Sequence, residues 1–191
     1  LLIRDLDRDE MTGRTDITCV HVALPNTPRF PEEAILKAID DTDRKAVIVI
    51  HSTVAPGTCA RLQKESHHEL IVSSPCLGVH PDLYPAIKTF RKIIGADSFE
   101  AGNIAFREIM SVGINCEVWE GTKTTELAKL MDLMYRSVCI TLHDTFDRWC
   151  EKENVSYDWA VTEWNRMYNE GYDKLGMKEV IRPICYTPKG K

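Results

Sequence analysis

Ala46-Val-Ile-Val-Ile50, running directly into His51-Ser52-Thr53, is the longest apolar run in the chain. It is β-branched, has strand length, and stops at polar residues suited to a loop, so it reads as a buried strand. The flanking sequence repeats the theme. Upstream, Asp16-Ile-Thr-Cys-Val-His-Val-Ala-Leu24 is a second such strand, ending at Pro25-Asn-Thr-Pro28. Between the two, Pro31-Glu-Glu opens a helix whose apolar positions are Ala34, Ile35, Ala38 and Ile39. Proline at the start and acids in the first turn suit a helix N-terminus. Downstream, Pro56-Gly57-Thr58 precedes a short helix through Leu62, and Leu70-Ile-Val-Ser73 is a third strand ending at Ser74-Pro75. Strands alternating with helices imply a parallel sheet with helices on its faces. Ligands in such sheets bind beyond the carboxyl ends of the strands. Here those ends are Pro25 to Pro28, Ser52-Thr53 and Ser74-Pro75.

Further along, Arg91 to Gly95 reads as a strand, Phe99 to Met110 as a helix, and Asn115 to Trp119 as another strand. The pattern then changes. Leu127, Leu130, Met131, Met134, Val138, Leu142, Phe146 and Trp149 recur every three or four residues, the mark of one long amphipathic helix over about Thr122 to Glu151. A second helix carries Tyr157, Ala160, Val161, Trp164, Tyr168 and Leu175 on one stripe. Trp159 and Trp164 are expected to pack within it. The chain is therefore expected to hold an α/β part over residues 1–120 and a helical part over residues 121–191.

The wider composition narrows the function. The 191 residues carry a net charge of −5 and no basic block, which argues against a nucleic-acid partner. No stretch approaches the ~20 apolar residues of a membrane helix, and the N-terminus lacks a signal-peptide pattern. The seven cysteines are widely spaced with no Cys-x-x-Cys. That favours reduced thiols in a cytoplasmic protein over a disulfide framework, and no metal site is expected. His67-His68 read as a solvated loop, and Cys185 as packing.

The ordered set strand–Asn26-Thr27-Pro28, strand–Ser52-Thr53-Val54-x-x-Gly57-Thr58, strand–Ser74-Pro75, Ile94-Gly95, then Thr125-Glu126-Leu127-x-Lys129-Leu130 resembles the UDP-glucose/GDP-mannose dehydrogenase family, from about Asp16 to the end. The resemblance implies part of a Rossmann domain that binds NAD. A long-helix domain of the 6-phosphogluconate dehydrogenase C-terminal type should follow and form a homodimer. The substrate class is a UDP-sugar, oxidised in two hydride transfers to a uronic acid through a cysteine-bound intermediate.

By the same resemblance, Pro25, Asn26, Thr27 and Thr53 are cofactor-binding, and Leu77, Gly78 and Val79 contact substrate. Lys129 is catalytic, its ammonium stabilising alkoxide charge by about 3 kcal/mol in a dry site. Read without the resemblance, Thr27 is a turn residue, Thr53 a capping hydroxyl, and Lys129 a solvated helix lysine.

Two positions depart from the family pattern. Cys76 stands where a Glu is usual, and a thiol cannot replace a carboxylate near neutral pH; a small buried hydrophobe is the expectation for it. Leu133 stands where an Asn is usual. The family's Gly-x-Gly-x-x-Gly and Gly-Gly-x-Cys loops do not occur in the sequence. The chain is thus expected to be an internal fragment, inactive alone. Two rivals remain: a non-catalytic dimerisation module or decayed paralogue, and a one-step hydroxyacid dehydrogenase.

Overall fold

The computed structural model describes residues 4–5, 8–14, 16–25, 32–43, 45–78 and 81–184. The elements in chain order are β1 (Arg4–Asp5), β2 (Arg8–Asp9), β3 (Cys19–Val22), α1 (Glu32–Asp40), β4 (Val47–Ile50), α2 (Thr58–Ser66), β5 (Ile71–Ser73) and α3 (Leu83–Thr89). They continue with β6 (Lys92–Ala96), α4 (Phe99–Ser111), β7 (Cys116–Glu120) and α5 (Thr122–Glu153). A π-helical segment (Asp158–Glu163), α6 (Trp164–Lys174) and a 3-10 turn (Lys178–Val180) follow. The chain divides into two compact units, Leu1–Leu130 and Met131–Lys191.

The first unit is built on a five-stranded sheet of order β3-β4-β5-β6-β7. Its centre is the Val47–Ile50 strand, buried at all four positions. Alternate residues serve opposite faces. Ile48 and Ile50 join Val20, Val22 and Ile71 against Ile35, Ala38 and Ile39 of α1 and Cys59 and Leu62 of α2. Val47 and Val49 join Val72, Ile94 and Ala96 against Ala101, Ala105 and Ile109 of α4. Helices on both faces explain why the strand is apolar throughout.

β3, β4 and β5 are parallel, and so are β6 and β7, but β5 and β6 pair antiparallel at Ser73 and Gly95. The expectation of a parallel sheet therefore holds with one reversal. The link between the two strands carries α3, which buries no residue, where a parallel pair is usually joined by a helix packed on the sheet. Neither α3 nor the β1–β2 hairpin shows in the sequence pattern.

Three smaller readings are corrected. His68 is buried, not solvated, and its Nε2 lies 2.8 Å from the Ala46 carbonyl. Cys76 is half-buried and hydrogen-bonded rather than a core hydrophobe. Trp159 and Trp164 are 75% and 60% exposed. A π-helical turn holds more residues than an α-turn, so the segment shifts the phase of the helical stripe. Val161 of the expected stripe is buried, together with Thr162 and Asn165, which the stripe did not include.

Within the second unit, buried His143 meets the Tyr157 hydroxyl at 2.6 Å. Asn169 holds both the N–H and the carbonyl of Arg182 at 2.8 Å, and the Arg182 guanidinium lies 3.6 Å over the Tyr168 ring. No helix among the described residues is long and apolar enough to cross a membrane.

Candidate functional site

The polar tips of β3, β4 and β5 are tied together by side chains. The Leu24 amide donates to Ser52 Oγ at 2.8 Å, linking the first two tips. His51, the residue after β4, has Nδ1 2.9 Å from the Ser74 carbonyl at the end of β5. The Ser74 hydroxyl donates to the Ile93 carbonyl of β6 at 2.9 Å. Because β6 runs antiparallel, its first residue, Lys92, meets the end of β5. Its ammonium donates to the Ser74 carbonyl at 2.9 Å and to Cys76 Sγ at 3.4 Å. Burial lowers the Lys92 pKa, a charged amine being poorly solvated there. Burial, and then the Lys92 charge, push His51 down to about 3.

The start of α5 closes this edge. Thr122 donates its amide and hydroxyl to the two carboxylate oxygens of Asp97, at 3.0 and 2.8 Å. The Thr125 hydroxyl reaches the Ser73 carbonyl at 3.2 Å and the Thr122 carbonyl at 2.9 Å. The approach is close enough that a Cβ on Gly95 would come within 2.3 Å of Thr125 Oγ1 and 2.8 Å of the Gly121 carbonyl, so only glycine fits.

Glu126 is 1% exposed. Its oxygens accept from the Gly57 amide at 2.5 Å and the Cys59 amide at 2.8 Å. Those amides belong to the N-terminus of α2, where the first N–H groups have no intrahelical partner. Gly57 brings no side-chain cap of its own, so the cap comes from a carboxylate far along the chain. The Val54-x-x-Gly57-Thr58 and Thr125-Glu126 motifs are therefore two halves of one contact.

The sequence-expected residues divide among these elements. Thr53 is half-buried after the tip of β4, and Pro25 is exposed after β3. Lys129 is half-buried on α5, one turn beyond Glu126 and on a neighbouring face. Leu77 is 36% exposed. Gly78 has φ 126°, and a Cβ there would sit 2.5 Å from Ala86 Cβ, so it packs on α3. Asn26, Thr27, Val79 and Cys185 lie outside the described residues. Sequence reasoning missed Glu126, Lys92 and His51 as site residues. Glu126 stood inside a quoted motif, but its acceptors' partners are invisible until α2 and α5 are placed together.

No protein-family model matches the sequence, and no curated protein matches it. Solved structures do. A UDP-D-ManNAc dehydrogenase from Pyrococcus horikoshii superposes with a TM-score of 0.65 at 24% identity, covering 83% of this chain and 42% of its own. A UDP-N-acetyl-mannosamine dehydrogenase from Staphylococcus aureus gives 0.64 at 19% identity, covering 85% and 43%. A GDP-mannose dehydrogenase from Pseudomonas aeruginosa gives 0.61 at 12% identity, covering 80% and 39%. The chain thus spans well under half the length of these proteins, and what it shares with them is the fold: a parallel-dominated Rossmann-like sheet followed by a helical region.

Proposed function

We propose that the chain is part of an NAD-dependent dehydrogenase that oxidises a UDP-sugar to the uronic acid in two steps. One observation carries the reading: the family-like segments at Thr53 to Thr58, at Ser74 and at Thr125-Glu126 are joined by hydrogen bonds along the carboxyl edge of β4 and β5. The shared fold with nucleotide-sugar dehydrogenases supports it.

The described residues fit one end of NAD and not the other. The polar tips at Leu24-Pro25, Ser52-Thr53 and Ser74 suit the ribose and nicotinamide end. The pyrophosphate has no cradle among them. The N-terminus of α2, where a phosphate would be attracted, already holds the Glu126 carboxylate. α1 opens with Glu32 and Glu33, the former paired with Arg61. Bound NAD would supply the hydride acceptor.

In this chain Glu126 and Thr125 fix the first turns of α5 to the sheet edge and so orient Lys129, whose ammonium stabilises the alkoxide. Leu77 and Gly78 contribute backbone to substrate binding, and the exposed apolar residues of α5 form a homodimer contact. Thr27, Asn26 and Val79 complete the set.

The test is an assay of the complete polypeptide carrying this segment, with NAD and a panel of UDP-sugars. Two NADH per sugar and a uronic acid are expected. Lys129→Ala should lower turnover at least about 100-fold with the circular dichroism spectrum unchanged. One NADH per substrate would favour a one-step hydroxyacid dehydrogenase. No NADH at all would favour a non-catalytic assembly module, a reading that the Cys76 thiol, engaged by Lys92 where a carboxylate is usual, also supports.

A further inference from the structure

Cys19 and His21 are two residues apart on β3, so their side chains leave the same face of the strand. Glu108 reaches them from α4. Cys19 Sγ lies 3.5 Å from His21 Nε2, and that nitrogen lies 3.8 Å from Glu108 Oε1. The three donor atoms all fall within 4.8 Å of one another. A tetrahedral zinc ion, with Zn–S of about 2.3 Å and Zn–N or Zn–O of about 2.0–2.2 Å, holds its ligand atoms roughly 3.4–3.6 Å apart. The Cys19–His21 and His21–Glu108 separations, 3.5 and 3.8 Å, are close to that spacing, and the third is no more than 4.8 Å.

The hydrogen bonds behind the cluster aim the right atom at it. His51 Nδ1 faces the Ser74 carbonyl, which can only accept, so Nδ1 carries the proton. On its other side, His51 Nε2 meets His21 Nδ1 at 2.9 Å, with the two rings within 5° of parallel. That contact engages His21 Nδ1 and leaves Nε2 as the nitrogen directed at Cys19 and Glu108. Metal-bound histidines are held by this kind of outer partner. The cluster also borders a groove of about 760 Å³ beside β3, so an ion and a water can reach it.

We propose that Cys19, His21 and Glu108 form a zinc(II) site with one coordination position open to the groove. A thiolate and an imidazole favour zinc over magnesium or calcium. Binding replaces the thiol proton, which leaves to solvent, and involves no change of oxidation state. His51 is a positioning residue.

The experiment is a cobalt(II) titration of the full chain, reduced and stripped of metal. One equivalent should bind with a thiolate-to-cobalt charge-transfer band and the visible bands of a tetrahedral ion, and zinc(II) should displace it. Cys19→Ala should abolish the charge-transfer band, whereas Cys76→Ala should keep it. His51→Gln should weaken affinity about 10–100-fold while retaining the band. Circular dichroism of each variant separates loss of the site from loss of the fold. No charge-transfer band in the folded, reduced wild type, or a band surviving in Cys19→Ala, would overturn the proposal.

Discussion

Lys92 is 8% exposed, and its ammonium donates to the Ser74 carbonyl and the Cys76 sulfur, with no carboxylate among its partners in the described residues. Hydrogen bonds of that kind return only part of the desolvation cost of a buried charge. The folded state therefore holds the Lys92 pKa below the 10.5 of an unperturbed lysine. The sign follows from proton counting. Between the lowered folded value and 10.5 the unfolded chain binds more protons, so stability rises with pH across that window. Below the window the full cost of the buried charge is carried. In Lys92→Met the cost is gone at every pH. The variant's advantage over wild type should therefore be largest at neutral pH and shrink as the pH rises toward 10.5. Paired urea unfolding curves under reducing conditions measure the difference, with Cys76→Ala in both proteins to remove the thiol that Lys92 touches. A difference independent of pH would mean that Lys92 is not buried as an ammonium.

At the scale of elements, the Val47–Ile50 strand and the three-and-four spacing of α5 were legible because burial on two faces, or on one stripe, leaves a period in the sequence. The elements that escaped leave none. α3 buries nothing, the β1–β2 strands are two residues each, and the π-helical turn breaks the phase on which the stripe of the last helix was drawn. Thr53 and Lys129 fell on the elements expected of them. The Cys19, His21 and Glu108 cluster could not be read at all, since its third member comes from a helix late in the first unit. Glu126 lies between these cases: its letter was legible, its partner was not. Its role is testable as a cap acting across elements. Glu126→Ala leaves the Gly57 and Cys59 amides without their acceptor, at a cost of roughly 2–4 kcal/mol. Glu126→Gln, which keeps one acceptor oxygen, should lose about half as much. Urea midpoints give the energies, and hydrogen exchange at residues 57–59 should accelerate in the alanine variant. A loss below about 0.5 kcal/mol would remove the cap from the account.

Whole-molecule behaviour turns on α5. Met131, Met134, Val138 and Leu142 follow one another at spacings of three and four and are 53%, 62%, 61% and 47% exposed. A solvent-facing stripe of that pattern is what one helix offers another in ridge-and-groove packing. Two copies packed along this stripe take eight half-exposed apolar side chains out of water together. The expected outcome is a dimer whose population changes across the micromolar range. Sedimentation equilibrium of the wild-type chain should show monomer and dimer in exchange. Met134→Glu with Val138→Glu places four carboxylates into the contact of a symmetric pair, where their desolvation cannot be repaid, and should give monomer alone. Both side chains are more than half exposed, so helical content should not change, and circular dichroism checks that it does not. Wild-type protein sedimenting as a single monomer throughout would show that the stripe is covered by something other than its own copy.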